Sequence, residues 1–422
     1  MATPIPKAPT LGSSRDFGSL IKLDYPNKEA PVSILNGMAA DLIYLGNTGT
    51  IDPAGTFYFG DNLPILLSLL KQYAGKVRFI YIDPPFAAAG NFSTRSQAHA
   101  YNDDRHGFYY IEYIRKRLVV LRELLSNDGS IYLHLDQNMA FTMKVIMDEV
   151  FGPGNFRNFI TRKKCNPKNF TRKSFGNITD YILFYTKTPD YIFNRKYQPW
   201  AEETAKKEYQ YVDSKGRRFK KVPIHAPGVR KGETGKQWRG ISPPPGKHWQ
   251  FLPSKLDEMD KNNEIYWSPN GNPRRKIYLE NSEGIPWQDI WLDCKDPHNQ
   301  NICITGYPTE KNLALIERIV LASSNPGDMV LDAFVGSGTT LQAALIHQRT
   351  GIGIDNSPEA FRAVLSRFIN GTTKMGDFVK KKMQPVKQLP LPFYSLNLYS
   401  SSEEMEVARE IFKEKKLRLK TA

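Results

Sequence analysis

The chain has 422 residues, a length that favours two or three domains, and its 40% hydrophobic and 12% aromatic content excludes disorder as the main state. Lys and Arg number 58 against 43 Asp and Glu, and the resulting +15 points to a polyanionic partner, most often nucleic acid. Cys165, Cys294 and Cys303 show no C-x-x-C spacing, which argues against a disulfide framework or structural zinc and for a reducing compartment. No window approaches the roughly 20 apolar residues of a membrane span, and the N-terminus carries no apolar signal core. The expectation is a soluble, basic, cytoplasmic protein with no membrane partner.

Residues 1–55 mix Pro, Gly and Thr with short apolar runs and read as an extension wrapped on the body. Phe57, Tyr58 and Phe59 precede Gly60, Asp61 and Asn62, and the apolar spacing over 63–70 predicts an amphipathic helix closed by 71–75. The run VRFIYI (77–82) reads as a buried strand leading into Asp83, Pro84, Pro85 and Phe86. Strand, helix, strand is one parallel α/β unit. A second unit follows, with helix at 113–125, strand at 129–135 and helix at 139–150, and 181–186 is another apolar strand.

From 194 to 294 the periodicity dissolves into lysines and arginines among aromatics, with a triple-proline turn at 243–245. This predicts a separate, irregular, basic module. Regular pattern then returns, with helix at 312–323, strand at 329–334, helix from 338 through 344 and strand at 351–355. Ser357, Pro358 and Glu359 cap a further helix running to 370, and the stretch after Lys374 reads as a charged, proline-punctuated tail. The working division is therefore 1–55 as extension, 56–193 and 295–374 as two halves of one α/β domain, 194–294 as insert and 375–422 as tail.

Two motifs carry chemistry. Residues 332–340 (DAFVGSGTT) read as a strand ending in a glycine turn that opens a helix. Glycines at 336 and 338 let backbone amides approach a ligand, and an acid ending the next strand, Asp355, is placed to bind ribose hydroxyls. No Lys follows Gly338, as a phosphate-binding loop would need, and Leu341 stands where a dinucleotide site wants a third small residue. Asp332, Phe334 and the G-x-G suit S-adenosylmethionine, whose bound moiety carries no phosphate. In the second motif, Asp83 to Phe86, two prolines fix the chain and leave carbonyls to accept hydrogen bonds, so a carboxylate and a carbonyl can both hold one amino group beside an aromatic ring. The seven histidines show no metal-ligand spacing, so no metal is expected, and His134 reads as a packed strand residue.

These residues resemble the amino-group DNA methyltransferases that use S-adenosyl-L-methionine. Asp83 to Phe86 looks like the catalytic D-P-P-Y/F motif, and Asp332, Phe334, Gly336, Ser337, Gly338, Thr339 and Thr340 look like the cofactor motif. Asp61 and Asn62 fall in a stretch resembling the G-D-x-L segment near the cofactor adenine. Thr309 and Lys311 fall in one resembling the Y-P-T-x-K segment at the methionine end. Catalytic motif first and cofactor motif last is the circularly permuted order of the beta class. Segments 238–245 and 265–269 resemble a bacterial subgroup allied to type III modification enzymes.

The resemblance implies a Rossmann-like S-adenosylmethionine-dependent methyltransferase fold, circularly permuted, with an inserted target-recognition region. The implied activity is adenine N6 methylation in a specific double-stranded DNA sequence, as the modification part of a restriction-modification system. Cytosine N4 methylation is the alternative within the fold, and a DNA-binding modification subunit without chemistry is the alternative outside it. Double-stranded DNA is the expected partner, with a second copy of the chain and a separate restriction endonuclease as further candidates. Three positions depart from the pattern: the alanines at 87–89 where small polar residues are usual, Ala333 and Val335 for Pro and Cys, and Asn312 for Pro. For DNA contact, the run Arg157, Arg162, Lys163, Lys164, Lys168, Arg172 and Lys173 reads as phosphate-binding, and Arg239 and Arg274 as groove readers.

Overall fold

The computed structural model describes residues 21–49, 53–85, 106–166, 173–296, 303–308, 310–374 and 394–415. They divide into two units, one reaching Asn194 and resuming at Gln288, the other Arg195–Trp287. No described helix is long and apolar enough to cross a membrane.

The first unit is built on a sheet of ten strands. In chain order these are β1 (Leu42–Asn47), β2 (Pro53–Phe59), β3 (Val77–Ile82), β4 (Leu125–Leu135) and β5 (Phe156–Lys163), then β6 (Thr179–Thr186), β7 (Ile290–Trp291), β8 (Met329–Asp332), β9 (Thr350–Asp355) and β10 (Ser395–Ser401). Their order across the sheet is β1-β10-β2-β9-β8-β3-β4-β6-β5-β7. The run from β10 to β4 is parallel throughout, and β1 and β6 run against it.

Parallel strands need both faces covered, so they are apolar on both sides. In β3, Ile80 and Ile82 join one core cluster with Ile131 and Leu133, while Phe79 and Tyr81 join a second with Tyr132 on the opposite face. Helices α1 (Asn62–Tyr73), α2 (His106–Leu124) and α3 (Ala140–Phe151) supply the first cluster. Helices α4 (Leu313–Ser323) and α5 (Thr339–Ile346) supply the second. A third cluster joins Phe57 and Phe59 of β2 to Phe361 of α6 (Pro358–Asn370) and Phe412 of α7 (Met405–Glu414).

The topology creates one crevice. Strand β8 sends its chain through α5 to β9 on one side, while β3 continues through α2 to β4 on the other. The two chains leave adjacent strands in opposite directions, and in parallel α/β sheets ligands bind beyond the strand ends at such a switch point. The motifs at 83–86 and 332–340, some 250 residues apart in sequence, both begin there because Val330 and Leu331 pair with Phe79 and Ile80.

The structure corrects the reading of both chain ends. The span 1–55 contributes the edge strand β1, and 375–422 contributes β10, which lies between β1 and β2, together with α7. Along β10 the apolar alternation is limited to Leu396 and Leu398, with buried Ser400 next in line, a signal too short to stand out beside prolines. The insert spans Arg195–Trp287 rather than 194–294, since β7 pairs with β5 of the first unit. It is also more ordered than its sequence suggests. Strands Ile265–Trp267, Pro273–Tyr278, Arg218–Pro223 and Tyr211–Val212 make a four-stranded antiparallel sheet over a core of Ile224, Trp238, Trp249, Leu256, Met259 and Ile265. Strands of two to six residues carrying lysine are too short to show a period.

Candidate active site

The glycine turn is held from below by the strand that leads into it. Asp332 ends β8 with its carboxylate turned back, accepting the Phe334 N–H at 2.9 Å and the Thr340 hydroxyl at 2.6 Å. Gly336 and Gly338 adopt φ of 51° and 82°, the left-handed region that a β-carbon disfavours. At Gly336 a β-carbon would also lie 3.3 Å from the Tyr307 ring. Fully buried Arg367 of α6 braces the turn, donating from Nε to the Ser337 carbonyl at 2.6 Å and pairing through Nη2 with the Glu310 carboxylate.

Asp355 ends the neighbouring strand β9. Its carboxylate accepts the Gly336 N–H and the Ser357 N–H, each at 2.9 Å, so its orientation is fixed by the same turn. Burial pushes Asp355 up to about 6 and Asp332 up to about 7. Both carboxyls therefore titrate near neutral pH and are sensitive to a ligand that donates hydrogen bonds.

On the adjacent strand, Asp83 follows Ile82 into the same cleft. One carboxylate oxygen, Oδ2, pairs with Lys311 Nζ at 2.8 Å. The other, Oδ1, is buried and has no hydrogen-bond partner among the described residues. Pro84 is buried and Pro85 exposed, so the turn is pinned on one side. Asn62, at the start of α1, donates to the Ala333 carbonyl at 2.7 Å and accepts from Arg117, which ties the G-D-N stretch to the glycine turn. Arg117 lies 3.4 Å above the Tyr113 ring, and Tyr113 meets Phe334 at 6.3 Å. The cleft between these elements has a volume of about 150 Å³ and opens to solvent.

Of the sequence-derived cofactor residues, Asn62, Lys311, Asp332, Phe334, Gly336, Ser337, Thr339, Thr340 and Asp355 line this cleft. Gly338 shapes the turn without lining it, and Asp61 caps α1 by accepting from Leu63 while pairing with Arg117 at 2.8 Å. Phe86, Thr309 and the alanines at 87–89 lie outside the described residues. Tyr113, Arg117, Glu310 and Arg367 belong to the site without a sequence signal of their own. Nothing in the spacing of Arg117 or Arg367 distinguishes them from surface arginines on amphipathic helices.

The basic run at 157–173 is not a uniform cationic surface. Arg162 is fully buried, clamping Asp180 through Nε at 2.8 Å and Nη2 at 2.6 Å and reaching Asp296 at 2.7 Å. Arg157 bonds the Thr186 hydroxyl at 3.0 Å and lies 4.5 Å over the Tyr191 ring. Lys163 and Lys164 are half-buried, Lys173 is exposed, and Lys168 and Arg172 lie outside the described residues. Burial alone would raise the Asp180 carboxyl, but His134 and Arg162 hold it well below the usual carboxylate range. The stability this supplies is present above the ordinary aspartate pKa and is lost only in strong acid. Arg162→Ala leaves that carboxylate buried without its guanidinium, and the expected loss is about 3–5 kcal/mol by urea unfolding.

Within the insert, Trp238 and Trp249 are core residues. Trp238 donates to Asp257 at 3.0 Å, and Arg239 is held by Asp257 at 2.9 Å and Asp260 at 2.5 Å. Arg274 sits in a strand, not a turn, and is exposed opposite Tyr266. Beside it Lys221 Nζ lies 3.5 Å and 3.4 Å from the ring centres of Tyr211 and Tyr266. The insert carries 19 Lys and Arg against 11 Asp and Glu, a net +8.

A parallel α/β sheet here brings a glycine turn, the Asp355 carboxylate and the Asp83 carboxylate to one switch point, the layout of a nucleotide-cofactor enzyme. Residues 77–366 match the family model described as DNA methylase, and the chain belongs to that family. It is 45% identical over 379 residues to the type II methyltransferase M.EcaI of Enterobacter cloacae, covering 89% of this chain and 83% of that protein. It is 26% identical to the Mod subunit of the type III restriction-modification enzyme StyLTI of Salmonella typhimurium, covering 80% of this chain and 56% of that one. The chain thus spans little more than half of that subunit. Among solved structures, the M1.HpyAVI–SAM complex aligns at 20% identity with a TM-score of 0.40, over 74% of this chain and 98% of that one. The PvuII cytosine-N4-specific DNA methyltransferase aligns at 12% identity with a TM-score of 0.41, over 88% and 97%.

Proposed function

We propose that the protein methylates adenine N6 within a specific sequence of double-stranded DNA, as the modification arm of a restriction-modification system. The observation that carries this reading is Asp83: a carboxylate with one buried oxygen that has no hydrogen-bond partner among the described residues, in the same cleft as the glycine turn and Asp355. The residues present fit S-adenosylmethionine. Gly336 and Gly338 give a turn without side chains, and Asp355, held by two backbone amides, suits hydroxyl donors. Asn62 and Phe334 suit the adenine, Lys311 suits the methionine carboxylate, and no Lys follows Gly338 to demand a phosphate. S-adenosylmethionine supplies an electrophilic methyl group.

An exocyclic amine has its lone pair delocalised into the ring and is a poor nucleophile. Asp83 and the Pro84 carbonyl accept its two hydrogens, draw the nitrogen towards sp³ and free the lone pair. From its place in the D-P-P-F motif, Phe86 is the residue proposed to stack on a base flipped from the duplex. D-P-P-F in place of S-P-P-Y supports adenine over cytosine. Attack through cytosine carbon 5 would need a cysteine nucleophile, and Cys165 and Cys294 are both buried, with burial pushing the Cys294 thiol up to about 11. Single-molecule sequencing of DNA from a host expressing the gene tests base and site together: modified adenines in one recurrent sequence support the reading, and modified cytosines or none overturn it.

The insert is the target-recognition region in this reading, and its arginines differ in role. Arg274 is expected to read a base. Arg274→Ala should change the methylated sequence at one position, with about 1–3 kcal/mol of discrimination at stake. Arg239, already held by two aspartates, should leave the sequence unchanged when replaced by alanine. Lys163→Ala with Lys164→Ala should weaken binding to all DNA alike and flatten the salt dependence by about 0.9 for each phosphate no longer neutralised. Methylation profiles over randomised sites separate the two behaviours.

A further inference from the structure

Behind Asp83 lies a buried polar chain that the proposed chemistry does not use. His134, on β4, is fully buried between two carboxylates. Its Nε2 is 3.0 Å from Asp180 Oδ2, and its Nδ1 is 3.9 Å from Asp83 Oδ1. Nδ1 also meets the Tyr81 hydroxyl at 2.7 Å. Arg162 holds Asp180 in a bidentate grip and is itself anchored to Asp296 and the Cys294 carbonyl.

We assign the resting tautomer from donor and acceptor matching. Asp180 is an anion that only accepts, so Nε2 carries the ring proton. Tyr81 is buried, and its hydroxyl hydrogen needs an acceptor, which Nδ1 provides as a lone pair. In this tautomer Nδ1 lies on the side of Asp83 Oδ1, which has no hydrogen-bond partner among the described residues. Charge makes that nitrogen receptive. Asp83, Asp180 and Asp296 set three carboxylates against two cations, Lys311 and Arg162, with Asp180 and Arg162 fully buried. One added proton balances the cluster.

We propose that His134 acts through Asp83 as a positioning and proton-relay residue, taking up the proton that the target amino nitrogen loses on methylation. This rests on the reading of Asp83 given above. The nitrogen lone pair forms the new N–C bond as the S–C bond breaks, its electrons staying on sulfur. One N–H bond then breaks, its electrons returning to nitrogen, and the proton passes to Asp83 Oδ1. The O–H bond breaks in turn and Nδ1–H forms, the Tyr81 hydroxyl turning its hydrogen away and becoming the acceptor at Nδ1, with Asp180 stabilising the imidazolium. The 3.9 Å gap is longer than a hydrogen bond, and such contacts commonly tighten once substrate is bound.

The test is single-turnover methyl transfer on duplex DNA by the full chain, with His134→Gln, Asp180→Asn and Asp83→Asn compared over pH and in D₂O. The expected result for His134→Gln is a transfer rate lower by about 10- to 100-fold, with S-adenosylmethionine and DNA affinities within about twofold. Its solvent isotope effect should also change and the acid limb of its pH profile move. Asp180→Asn should show the same changes, smaller in size. An unchanged rate in His134→Gln overturns the proposal. So does a slower rate with the pH profile and isotope effect of the parent, which marks a structural role only. Full activity in Asp83→Asn would instead sink the active-site reading, whatever His134 does.

Discussion

Asp83→Asn is expected to lower methyl transfer by about 10²–10⁴-fold while S-adenosylmethionine binding stays within a few fold. The substitution keeps the shape of the side chain and removes the charge. An amide oxygen accepts only weakly from the target amine, and the amide NH₂ offers it a donor where an acceptor is needed. The loss falls on the chemical step because Asp83 follows β3, one strand away from β8, whose turn carries Gly336, and two from β9, which Asp355 ends. Lys311 pairs with Asp83 at 2.8 Å, so the variant also takes an anionic partner from this lysine, and binding is expected to hold or improve if Lys311 meets the methionine carboxylate. Single-turnover rates with calorimetric titration separate the two quantities. Equal loss of binding and rate would move Asp83 from the reaction into cofactor binding.

The second large effect is expected at the glycine turn and its acid. Gly336→Val forces a β-branched residue into φ 51° and towards the Tyr307 ring, and cofactor binding should be abolished. Asp355→Ala removes charge-assisted hydrogen bonds of roughly 1.5–3 kcal/mol, an affinity loss of roughly 10- to 150-fold. Asp355 titrates at about 6, and hydroxyl donors favour its ionised form. The parent protein should therefore lose affinity by about tenfold per pH unit below 6, and Asp355→Ala should not. For the ligand-free protein the sign is opposite. Raised carboxyls at 355 and 332 give stability that is complete below the ordinary aspartate range and is lost as pH rises through about 6 and about 7. Calorimetric affinities at pH 5 and pH 8 test the first statement, and thermal melts of Asp332→Asn beside the parent test the second.

Much of this site is legible in the sequence because its residues are local signals on strong elements. VRFIYI forms β3 over the span its pattern marks, and Ser357 caps α6 as its Ser-Pro-Glu signature indicates, accepting from Ala360 N–H. Asp83, Asp332 and Asp355 each end a buried parallel strand, where periodicity and a following turn are unmistakable. The unread parts depend on partners distant in sequence. Arg162 sits in a run of cations and looks like surface charge; only Asp180 and Asp296, supplied by other segments, make it a buried clamp. Arg117 and Arg367 are similar, since their partners Asn62 and Glu310 lie 55 and 57 residues away. β10 escapes notice because two alternating leucines gain meaning only between β1 and β2. The insert hides its sheet for the same reason: register such as Lys276 opposite Lys221 is set by tertiary packing over a tryptophan core, not by local pattern.

The most direct test of the account is to incubate the purified chain with duplex DNA and S-adenosylmethionine labelled in its methyl group, digest the DNA to nucleosides and identify the labelled product. The account predicts label in N6-methyladenine with the parent protein and its loss with Asp83→Asn. Label in N4-methylcytosine, label in 5-methylcytosine, or full labelling by Asp83→Asn would contradict it.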